Sequence, residues 1–298
     1  MAKRKAATFG QDLMRGEGKE GGAKMGAPIK TVGTTDSMRD KGLSGGCSDG
    51  DDAVASGTSI FDPVLCELAY SWFSPPDGVV LDPFAGGSVR GVVASKLGRK
   101  YVGVELRQEQ VEANRIQGAD LCPENPPIWH CADSRKIPDV CGDVEADFVF
   151  SCPPYADLEV YSDDPDDLST LSYAEFKPAY FDIIAKACAQ LKDNRFACFV
   201  VGEVRDKKGN YYNFVGDTVE AFKAAGLNYY NEAILVTAVG SLPIRAGRQF
   251  DAGRKLGKTH QNVLVFVKGD GKKATEACGH VEFAMPEGGS DDGGFDAA

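Results

Sequence analysis

A glycine-containing turn and an acidic residue stand at the ends of two successive predicted strands. The turn runs from Asp82 to Ser88 as Asp-Pro-Phe-Ala-Gly-Gly-Ser, and Glu105 ends the following apolar run. Gly86 and Gly87 let the backbone approach a ligand closely, and an acid after the second strand can accept both hydroxyls of an adenosine ribose. The turn departs from the G-x-G-x-x-G spacing that binds a pyrophosphate. Together with a carboxylate suited to an amino group, these features favour S-adenosylmethionine as the ligand.

Several neighbours complete this candidate cofactor site. Phe84 and Ala85 belong to the turn, and Leu106 follows Glu105. Ser88 is expected to cap the helix that follows the turn. Asp133 ends the third predicted strand and could accept a hydrogen bond from the amino group of adenine, with a solvent-facing loop acid as the alternative.

A second cluster, Ser151-Cys152-Pro153-Pro154-Tyr155, follows the fourth predicted strand. The two prolines stiffen the backbone, so the carbonyl oxygens of Cys152 and Pro153 and the ring of Tyr155 would keep fixed positions. An exocyclic amine of adenine or cytosine is a poor nucleophile because its lone pair is delocalised into the ring. Acceptors aimed at its hydrogens and an aromatic clamp on the base would favour attack on a methyl sulfonium. This chemistry requires neither a metal nor a covalent intermediate; a proline-rich surface turn is the alternative.

Composition limits the remaining possibilities. The chain has 298 residues and a net charge of −11, from 33 basic and 44 acidic side chains, so any contact with nucleic acid must be local. No apolar run approaches the roughly 18 residues of a membrane helix, and no apolar segment follows the basic N-terminal residues as in a secretory signal. Nine cysteines without a CxxC pair fit a reducing cytosol rather than a disulfide framework or zinc site.

Strand and helix patterns alternate between two low-complexity ends. Predicted strands cover residues 79–81, 101–104, 128–132, 148–150, 196–201, 233–239 and 262–267, with helices over 88–97 and 109–117, from Ser172 onward, and over 214–225. This alternation predicts an α/β fold with a mostly parallel sheet, whose ligands bind at the carboxyl ends of the strands. Residues 1–56 are predicted to be a disordered arm, 57–270 the folded domain, and 271–298 an acidic, glycine-rich tail.

The turn at Asp82, Glu105 and the Pro153-Pro154-Tyr155 corner together resemble the DNA amino-methyltransferases, which make N6-methyladenine or N4-methylcytosine. The segment Ser59 to Pro63, with Phe61 and Asp62, is similar to that family's motif that closes over the methionine part of the cofactor. The resemblance covers roughly residues 56–270. It implies a Rossmann-like class I methyltransferase fold, with seven strands of which one late strand is antiparallel, and S-adenosylmethionine as methyl donor. It also implies DNA as the partner, a flipped target base, and a bacterial or phage setting, as in restriction-modification.

The sequence departs from the family pattern in two ways. Cys152 stands where the family has Asp, Asn or Ser, and a thiol is a weaker donor and acceptor. The backbone carbonyl of Cys152 could make the contact, Ser151 could substitute, or activity could be low. In addition, no long segment resembles a separate target-recognition domain. Sequence choice would then depend on loops, a homodimer or a separate specificity partner.

The densest basic stretch of the predicted domain lies between its last two strands, in residues 240–261. It is predicted to be a flexible loop that contacts DNA phosphates, with a solvated loop as the alternative; its basic side chains are Arg245, Arg248, Arg254, Lys255 and Lys258. Residues 205–208 could extend the patch. Two other functions stay open from the residues alone: a methyltransferase of RNA, protein or a small molecule, and a non-catalytic DNA-binding relative.

Overall fold

A computed structural model of the chain describes residues 61–155, 164, 166–237 and 242–281. The predicted N-terminal arm lies outside the described residues, as does the chain from residue 282 onward. Within the described part, every helix is too short or too polar to span a membrane.

Seven strands form one sheet in the order β3-β2-β1-β4-β5-β7-β6. Their bounds are β1 Val79–Asp82, β2 Lys100–Glu105, β3 Ile128–Cys131, β4 Ala146–Ser151, β5 Leu191–Val201, β6 Asn228–Val236 and β7 His260–Lys268. Strands β1 to β5 pair in parallel, and β7 runs antiparallel to both of its neighbours, β5 and β6. This topology confirms the predicted α/β, Rossmann-like fold with one late antiparallel strand.

Helices cover both faces of the sheet. They are α1 Pro63–Phe73, α2 Val89–Lys96, α3 Gln108–Leu121, α4 Ile137–Val140, α5 Tyr173–Ala189, α6 Phe214–Ala224, α7 Leu242–Gly253 and α8 Gly271–Cys278. All six residues of β4 are buried. Phe148 and Phe150 join one apolar cluster with Tyr70 of α1, whereas Val149 joins the other with Ile184 of α5. A central strand between two helical layers must be apolar on both sides, which explains its continuous hydrophobic run.

The strand order reverses beside β1, which is the feature that positions the site. After β3 the chain crosses back to the other side of β1, so that β1 lies between β2 and β4. The register pairs Leu81 with Val149, which brings the carboxyl ends of β1 and β4 together. Open α/β sheets bind their ligands in the crevice at such a switch point.

Two predicted irregular segments contain helices. Residues 240–261 are not simply a flexible loop, because α7 occupies much of the segment. Leu242 packs directly against Gly257, whose missing side chain makes room for it, and Arg254 ends the helical segment with a φ of +51°.

The predicted C-terminal tail also begins with an ordered helix. Asp270 caps α8 by accepting hydrogen bonds from the backbone amides of Lys272 and Lys273. Ala274 and Cys278, four residues apart on one helix face, are buried. The folded domain therefore extends beyond the predicted boundary at residue 270. The two buried positions are too few to stand out as a periodic pattern in a glycine- and lysine-rich segment.

Candidate active site

The glycine turn is held between β2 and α3 by three backbone contacts. The Ala85 amide donates to the carbonyl of Val104 at 2.9 Å. The Gly86 amide donates to Oε2 of Glu105 at 2.9 Å, and the Gly86 carbonyl accepts from Asn114 at 2.7 Å. Gly86 has a φ of +51°, in the left-handed region that favours glycine. The predicted turn and the predicted acid are therefore in direct contact.

The turn and Glu105 fit an adenosine-containing ligand. A Cβ added at Gly87 would meet no atom of the described residues within 4 Å, and its φ is ordinary. Within that part of the chain nothing therefore requires glycine there, and its small size would let a ligand approach closely. Glu105 accepts a backbone hydrogen bond at each carboxylate oxygen, from Gly86 and from Arg107, and Nε of Arg107 lies 3.5 Å from its Oε1. A carboxylate has about four acceptor positions, which leaves capacity for ribose hydroxyls. Burial raises the pKa of Glu105.

Asp82 holds the site together from inside, and its carboxylate does not face a ligand. Its side chain is 0% exposed. It accepts four hydrogen bonds, from the Phe84 amide at 3.0 Å, Arg90 at 2.6 Å, the Tyr101 hydroxyl at 2.7 Å and the Ser151 hydroxyl at 2.5 Å. A carboxylate offers about four acceptor positions, so no capacity is left for the amino group of a ligand. The sequence-based interpretation of Asp82 is replaced by a positioning role.

Arg90 is a site residue that the sequence analysis missed. Only 5% of it is exposed. Besides Asp82, its guanidinium donates to the carbonyls of Phe84 at 2.5 Å and Ala85 at 2.9 Å, and it lies 4.7 Å from the ring centre of Phe61. Desolvation lowers and the Asp82 carboxylate raises the pKa of Arg90, and the net shift is upward. A basic residue near the start of a glycine-flanked helix is the signal that could have marked it.

The diproline corner starts directly beside this buried network. Ser151 is the last residue of β4, is 0% exposed and donates its hydroxyl hydrogen to Asp82. It is therefore not placed to substitute for the polar residue that the family has before Pro153. Cys152 and Pro154 are half-buried and Pro153 is buried. Cys152 lies against the apolar cluster that also contacts Phe61.

Tyr155 is held by residues that are distant in the sequence. Its hydroxyl accepts a hydrogen bond from the side-chain amide of Gln261, near the start of β7. Its ring meets that of Phe214 edge-on, with centroids 5.9 Å apart. Gln261 is 106 residues away along the chain, and no local pattern connects it with the corner. The ring of Tyr155 is thus oriented before any base binds.

The segment before β1 contributes one aromatic contact and a helix start. The Phe61 ring packs edge-on against Phe150 with centroids 5.8 Å apart. Asp62 caps α1 by accepting from the amides of Val64 and Leu65, and Pro63 is the first residue of that helix. Asp62 and Pro63 therefore start the helix, and among the motif residues that the structure describes, from Phe61 to Pro63, Phe61 is the one that reaches Arg90.

Three other predicted cofactor residues have internal partners. Ser88 precedes α2, but its hydroxyl bonds the Gln117 side chain instead of capping the helix. Both oxygens of Asp133 accept from Arg135, one from its amide and one from its guanidinium, each at 2.8 Å. Leu106 offers its carbonyl to the thiol of Cys131. Asp133 lies just after β3, as predicted, and its carboxylate is paired with Arg135.

The predicted basic residues lie on α7 and on the chain that follows it. Arg248 and Arg254 are exposed, while Lys255 and Lys258 are half-buried. Arg245 belongs to α7, and its side chain lies outside the described residues. Lys258 contributes to a groove together with Arg205, the first residue of the other predicted basic segment. The structure therefore brings parts of both predicted basic segments together.

Comparisons with known proteins match the cofactor half of this site. A family model for N6/N4 methyltransferases, described as DNA methylase, matches residues 67–115, which include the glycine turn and Glu105. The type II methyltransferase M.HinfI of Haemophilus influenzae is 36% identical over 78 residues, 26% of this chain and 22% of that protein. M.Cfr9I of Citrobacter freundii is 49% identical over 47 residues, 15% of this chain and 16% of that protein. The matches thus span about a fifth of these relatives' length.

Solved structures align with part of the chain at low sequence identity. TrmN from Thermus thermophilus gives a TM-score of 0.46 at 16% identity, covering 69% of this chain and 48% of that one. A putative sarcosine dimethylglycine methyltransferase from Galdieria sulphuraria gives 0.48 at 16% identity, covering 70% and 84%. The family match confirms the resemblance drawn from the glycine turn and Glu105: over residues 67–115 this chain is similar to the DNA amino-methyltransferases.

Proposed function

We propose that the chain is an S-adenosylmethionine-dependent DNA methyltransferase that modifies N6 of adenine or N4 of cytosine in a flipped base. The observation that carries this proposal is the meeting of two predicted elements at one edge of the sheet. The glycine turn after β1 and the diproline corner after β4 are joined by the hydrogen bond between Asp82 and Ser151. A methyl donor on the first element and a planar amine on the second would share one crevice.

Some residues of the cofactor site would contact the ligand, and others hold those contact residues in place. Glu105 would accept the ribose hydroxyls, while the backbone at Gly86 and Gly87 approaches the ligand closely. Arg90 and Asp82 hold this turn rigid from beneath. S-adenosylmethionine, when bound, supplies an electrophilic methyl group on a sulfonium. Because the turn is preorganised, less ordering entropy opposes ligand binding.

The corner residues act on the target amine. The carbonyl oxygens of Cys152 and Pro153 would accept hydrogen bonds from the amine hydrogens, which increases electron density on the nitrogen. Tyr155, held by Gln261 and Phe214, would stack on the base. In the reaction a nitrogen–carbon bond would form as the carbon–sulfur bond breaks, the electron pair of the broken bond would stay on sulfur as a thioether, and the amine would release one proton to solvent. These residues position the amine and support its charge, which is how an enzyme accelerates such a transfer.

DNA is the partner in this proposal although the chain is acidic overall. Exposed cations lie on and after α7, including Arg248 and Arg254, and local basic patches suffice for phosphate contacts. The described residues contain no cluster of ligands that could hold a metal ion. A homodimer or a separate specificity partner remains part of the proposal, because the choice of target sequence needs more contacts than the crevice offers.

Transfer of a labelled methyl group is the direct test. The purified full chain is incubated with methyl-tritiated S-adenosylmethionine and unmodified DNA of mixed sequence, and the DNA is digested to nucleosides. We expect label in N6-methyldeoxyadenosine or N4-methyldeoxycytidine, and its loss in the Tyr155→Ala variant. The Tyr230→Ala variant, altered on β6 far from the corner in sequence, serves as the matched control. Absence of labelled base on every DNA tested, with cofactor binding intact, would falsify the proposal.

A further inference from the structure

A short hairpin after β5 presents an aromatic ring stacked on a cation. Arg205 and Tyr211 form an isolated antiparallel bridge, and the guanidinium carbon of Arg205 lies 3.9 Å from the ring centre of Tyr211. The same guanidinium donates to the Gly209 carbonyl at 2.7 Å. Between them, the Asp206 amide donates to the Asn210 carbonyl at 2.8 Å, and the Asn210 amide donates to the Asp206 carboxylate at 2.7 Å. Although 47% of Tyr211 is exposed, its position is therefore fixed.

The ring of Tyr211 forms part of a groove between this hairpin and α7. The other side chains that line the groove include Arg205, Leu242, Gln249, Leu256 and Lys258. Glu203 also lines it, but its carboxylate accepts from the amides of Phe214 and Val215 at the start of α6. The positive end of the helix offsets that negative charge. The groove thus combines an aromatic surface with aliphatic walls and two cations.

The rim of the groove is basic in a chain whose net charge is −11. Lys207 and Lys208 are exposed at the tip of the hairpin, and Lys255 packs against Gly209 from the α7 side. The one acid of the hairpin, Asp206, is engaged with Asn210. Exposed cations gathered around an aromatic groove match a single nucleic-acid strand, which carries phosphates along its backbone and flat bases beside them.

Two chain segments connect the groove with the diproline corner. A Cβ added at Gly202 would lie 3.8 Å from the Tyr155 ring, and the next residue, Glu203, lines the groove. On the other segment, Gln261 bonds Tyr155, and Lys258, three positions earlier, lines the groove. Both segments that contact Tyr155 therefore continue into the groove.

We propose that this groove binds an unpaired base of the DNA strand that carries the target, stacked on Tyr211, with the adjacent phosphates on Lys207, Lys208 and Lys258. The inference rests on the proposed function, because it presumes that the corner holds a target base from DNA. Every base has a π-face, so such stacking tolerates different sequences. A second stacked base would stabilise DNA that is opened around the flipped nucleotide, which otherwise costs a few kcal/mol of unpairing.

Binding of a fluorescein-labelled single-stranded deoxyoligonucleotide to the full chain tests this proposal by fluorescence anisotropy. Loss of one base–aromatic stack corresponds to a weakening of roughly 5- to 150-fold, which we expect for Tyr211→Ala and for the bulky but non-aromatic Tyr211→Leu. Tyr211→Phe should bind within about 3-fold of the parent, since it keeps the ring. Tyr230→Ala removes a tyrosine of similar exposure, 49%, near the start of β6, and should leave affinity unchanged.

Salt dependence separates stacking from phosphate contacts. Replacing both Lys207 and Lys208 by Gln should reduce the slope of log affinity against log salt by about 1.4, or roughly 0.7 per contact on a single strand. Tyr211→Ala should weaken binding while leaving that slope unchanged. Equal affinity of Tyr211→Ala, Tyr211→Leu and the parent would overturn the proposal, as would tighter binding of an RNA of the same sequence.

Binding without methyl transfer distinguishes this proposal from the proposed function. The anisotropy measurement needs no cofactor. Tyr211-dependent binding by a chain that transfers no label would therefore contradict the methyltransferase function and leave the groove proposal standing. Conversely, normal DNA methylation by a Tyr211→Ala variant with unchanged DNA affinity would contradict the groove proposal and leave the methyltransferase function standing. Urea unfolding midpoints of all variants establish that a weaker binder is still folded.

Discussion

The Oγ atom of Ser151 lies 2.5 Å from Oδ1 of Asp82, and both side chains are fully buried. This hydrogen bond joins the strand end that carries the glycine turn to the strand end that carries the diproline corner. The two residues are 69 positions apart. Because no water competes for the bond, small shifts of one element are transmitted to the other. The distance between the proposed cofactor site and the proposed site of the target base should therefore depend on a contact that touches neither ligand.

Removing this contact should affect turnover more than cofactor affinity. Ser151→Ala removes one of the two hydrogen bonds that Oδ1 of Asp82 accepts, and a hydrogen bond to a charged group contributes about 1.5–3 kcal/mol to the free energy of unfolding. We expect kcat for methyl transfer to fall about 10-fold or more, because a small misplacement of the corner is costly. The dissociation constant of S-adenosylmethionine should change little. Urea unfolding measures the free energy of unfolding, calorimetry measures the dissociation constant, and single-turnover kinetics measure the rate of methyl transfer.

A conservative replacement supplies the control for Ser151. Ser151→Cys keeps a side chain of similar shape with a weak donor, so part of the rate should return. Equal rates for Ser151→Ala and the parent would show that the contact does not align the two elements.

Arg90 and Asp82 should be strongly coupled in stability. Arg90→Met leaves a carboxylate charge buried without its cation, which typically costs about 3–5 kcal/mol. Asp82→Asn removes that charge, so the double variant should be less destabilised than the sum of the two single variants. A double-mutant cycle by urea unfolding measures the coupling, with Arg115→Met on the outer part of α3 as the control for loss of an arginine. Strict additivity would contradict the buried pair.

Local signals predicted the parts of the site that are defined by a short segment. The positive φ of Gly86, the acid at the end of β2 and the stiff corner at Pro153 all follow from neighbouring residue types. The role of Asp82 did not, because its other donors, Arg90, Tyr101 and Ser151, come from 8, 19 and 69 positions away. A sequence pattern shows that a carboxylate is present at a turn. Only the fold shows whether its acceptor positions are already occupied.

Helix prediction failed in two short segments that contain glycine and several charged residues. In α8 only Ala274 and Cys278 are buried, and α7 carries a glycine at position 247. Both helices are amphipathic, but each is short and includes glycine and several charged residues, so the apolar stripe was overlooked in the sequence. The capping carboxylate of Asp270 was the available local signal for α8.

Glu105 should control the affinity for the cofactor. Glu105→Gln keeps one acceptor oxygen but loses the charge, and charge-assisted hydrogen bonds contribute about 1.5–3 kcal/mol. We therefore expect the dissociation constant of S-adenosylmethionine to rise roughly 10- to 150-fold, measured by calorimetry. Glu109→Gln, an exposed acid at the start of α3, is the matched control.

The same residue should set a pH dependence of cofactor binding. Burial raises the pKa of Glu105, so the carboxylate gains its proton at a higher pH than an ordinary glutamate near 4.3. Affinity for S-adenosylmethionine should be highest above the raised pKa and fall as the pH is lowered through it. The Glu105→Gln variant should lack this dependence. An identical pH profile in both proteins would assign the effect to another group.

Asp147 should stabilise the opposite edge of the sheet in a pH-dependent way. It accepts hydrogen bonds from the Val79 amide, Lys192 and Arg195 at 3.0 to 3.1 Å. Burial raises its pKa, but these partners outweigh burial and the pKa is lowered. Such a carboxylate stabilises the fold above its unfolded pKa, near 3.9, and loses that contribution as the pH falls through the lower folded value.

Urea unfolding of Asp147→Asn across pH checks this sign. At pH 7 we expect a loss of about 1–3 kcal/mol, and the difference from the parent should shrink in acid below pH 4. Asp193→Asn, which alters the residue of β5 next to Lys192, is the control. A difference that grows in acid would contradict the lowered pKa.

Tyr155 and Gln261 should act on the chemical step and leave cofactor binding nearly intact. Tyr155→Ala removes the ring that would hold the base, so kcat should fall by at least 100-fold, in line with the cost of losing a positioning group. Gln261→Leu keeps the ring but frees its hydroxyl from the contact that orients it, so a smaller loss of about 3- to 10-fold is expected. Combining Gln261→Leu with Tyr155→Phe should cost no more than Tyr155→Phe alone, since both remove the same hydrogen bond. Single-turnover methylation assays measure these rates, and a full rate in Tyr155→Ala would place the target base elsewhere.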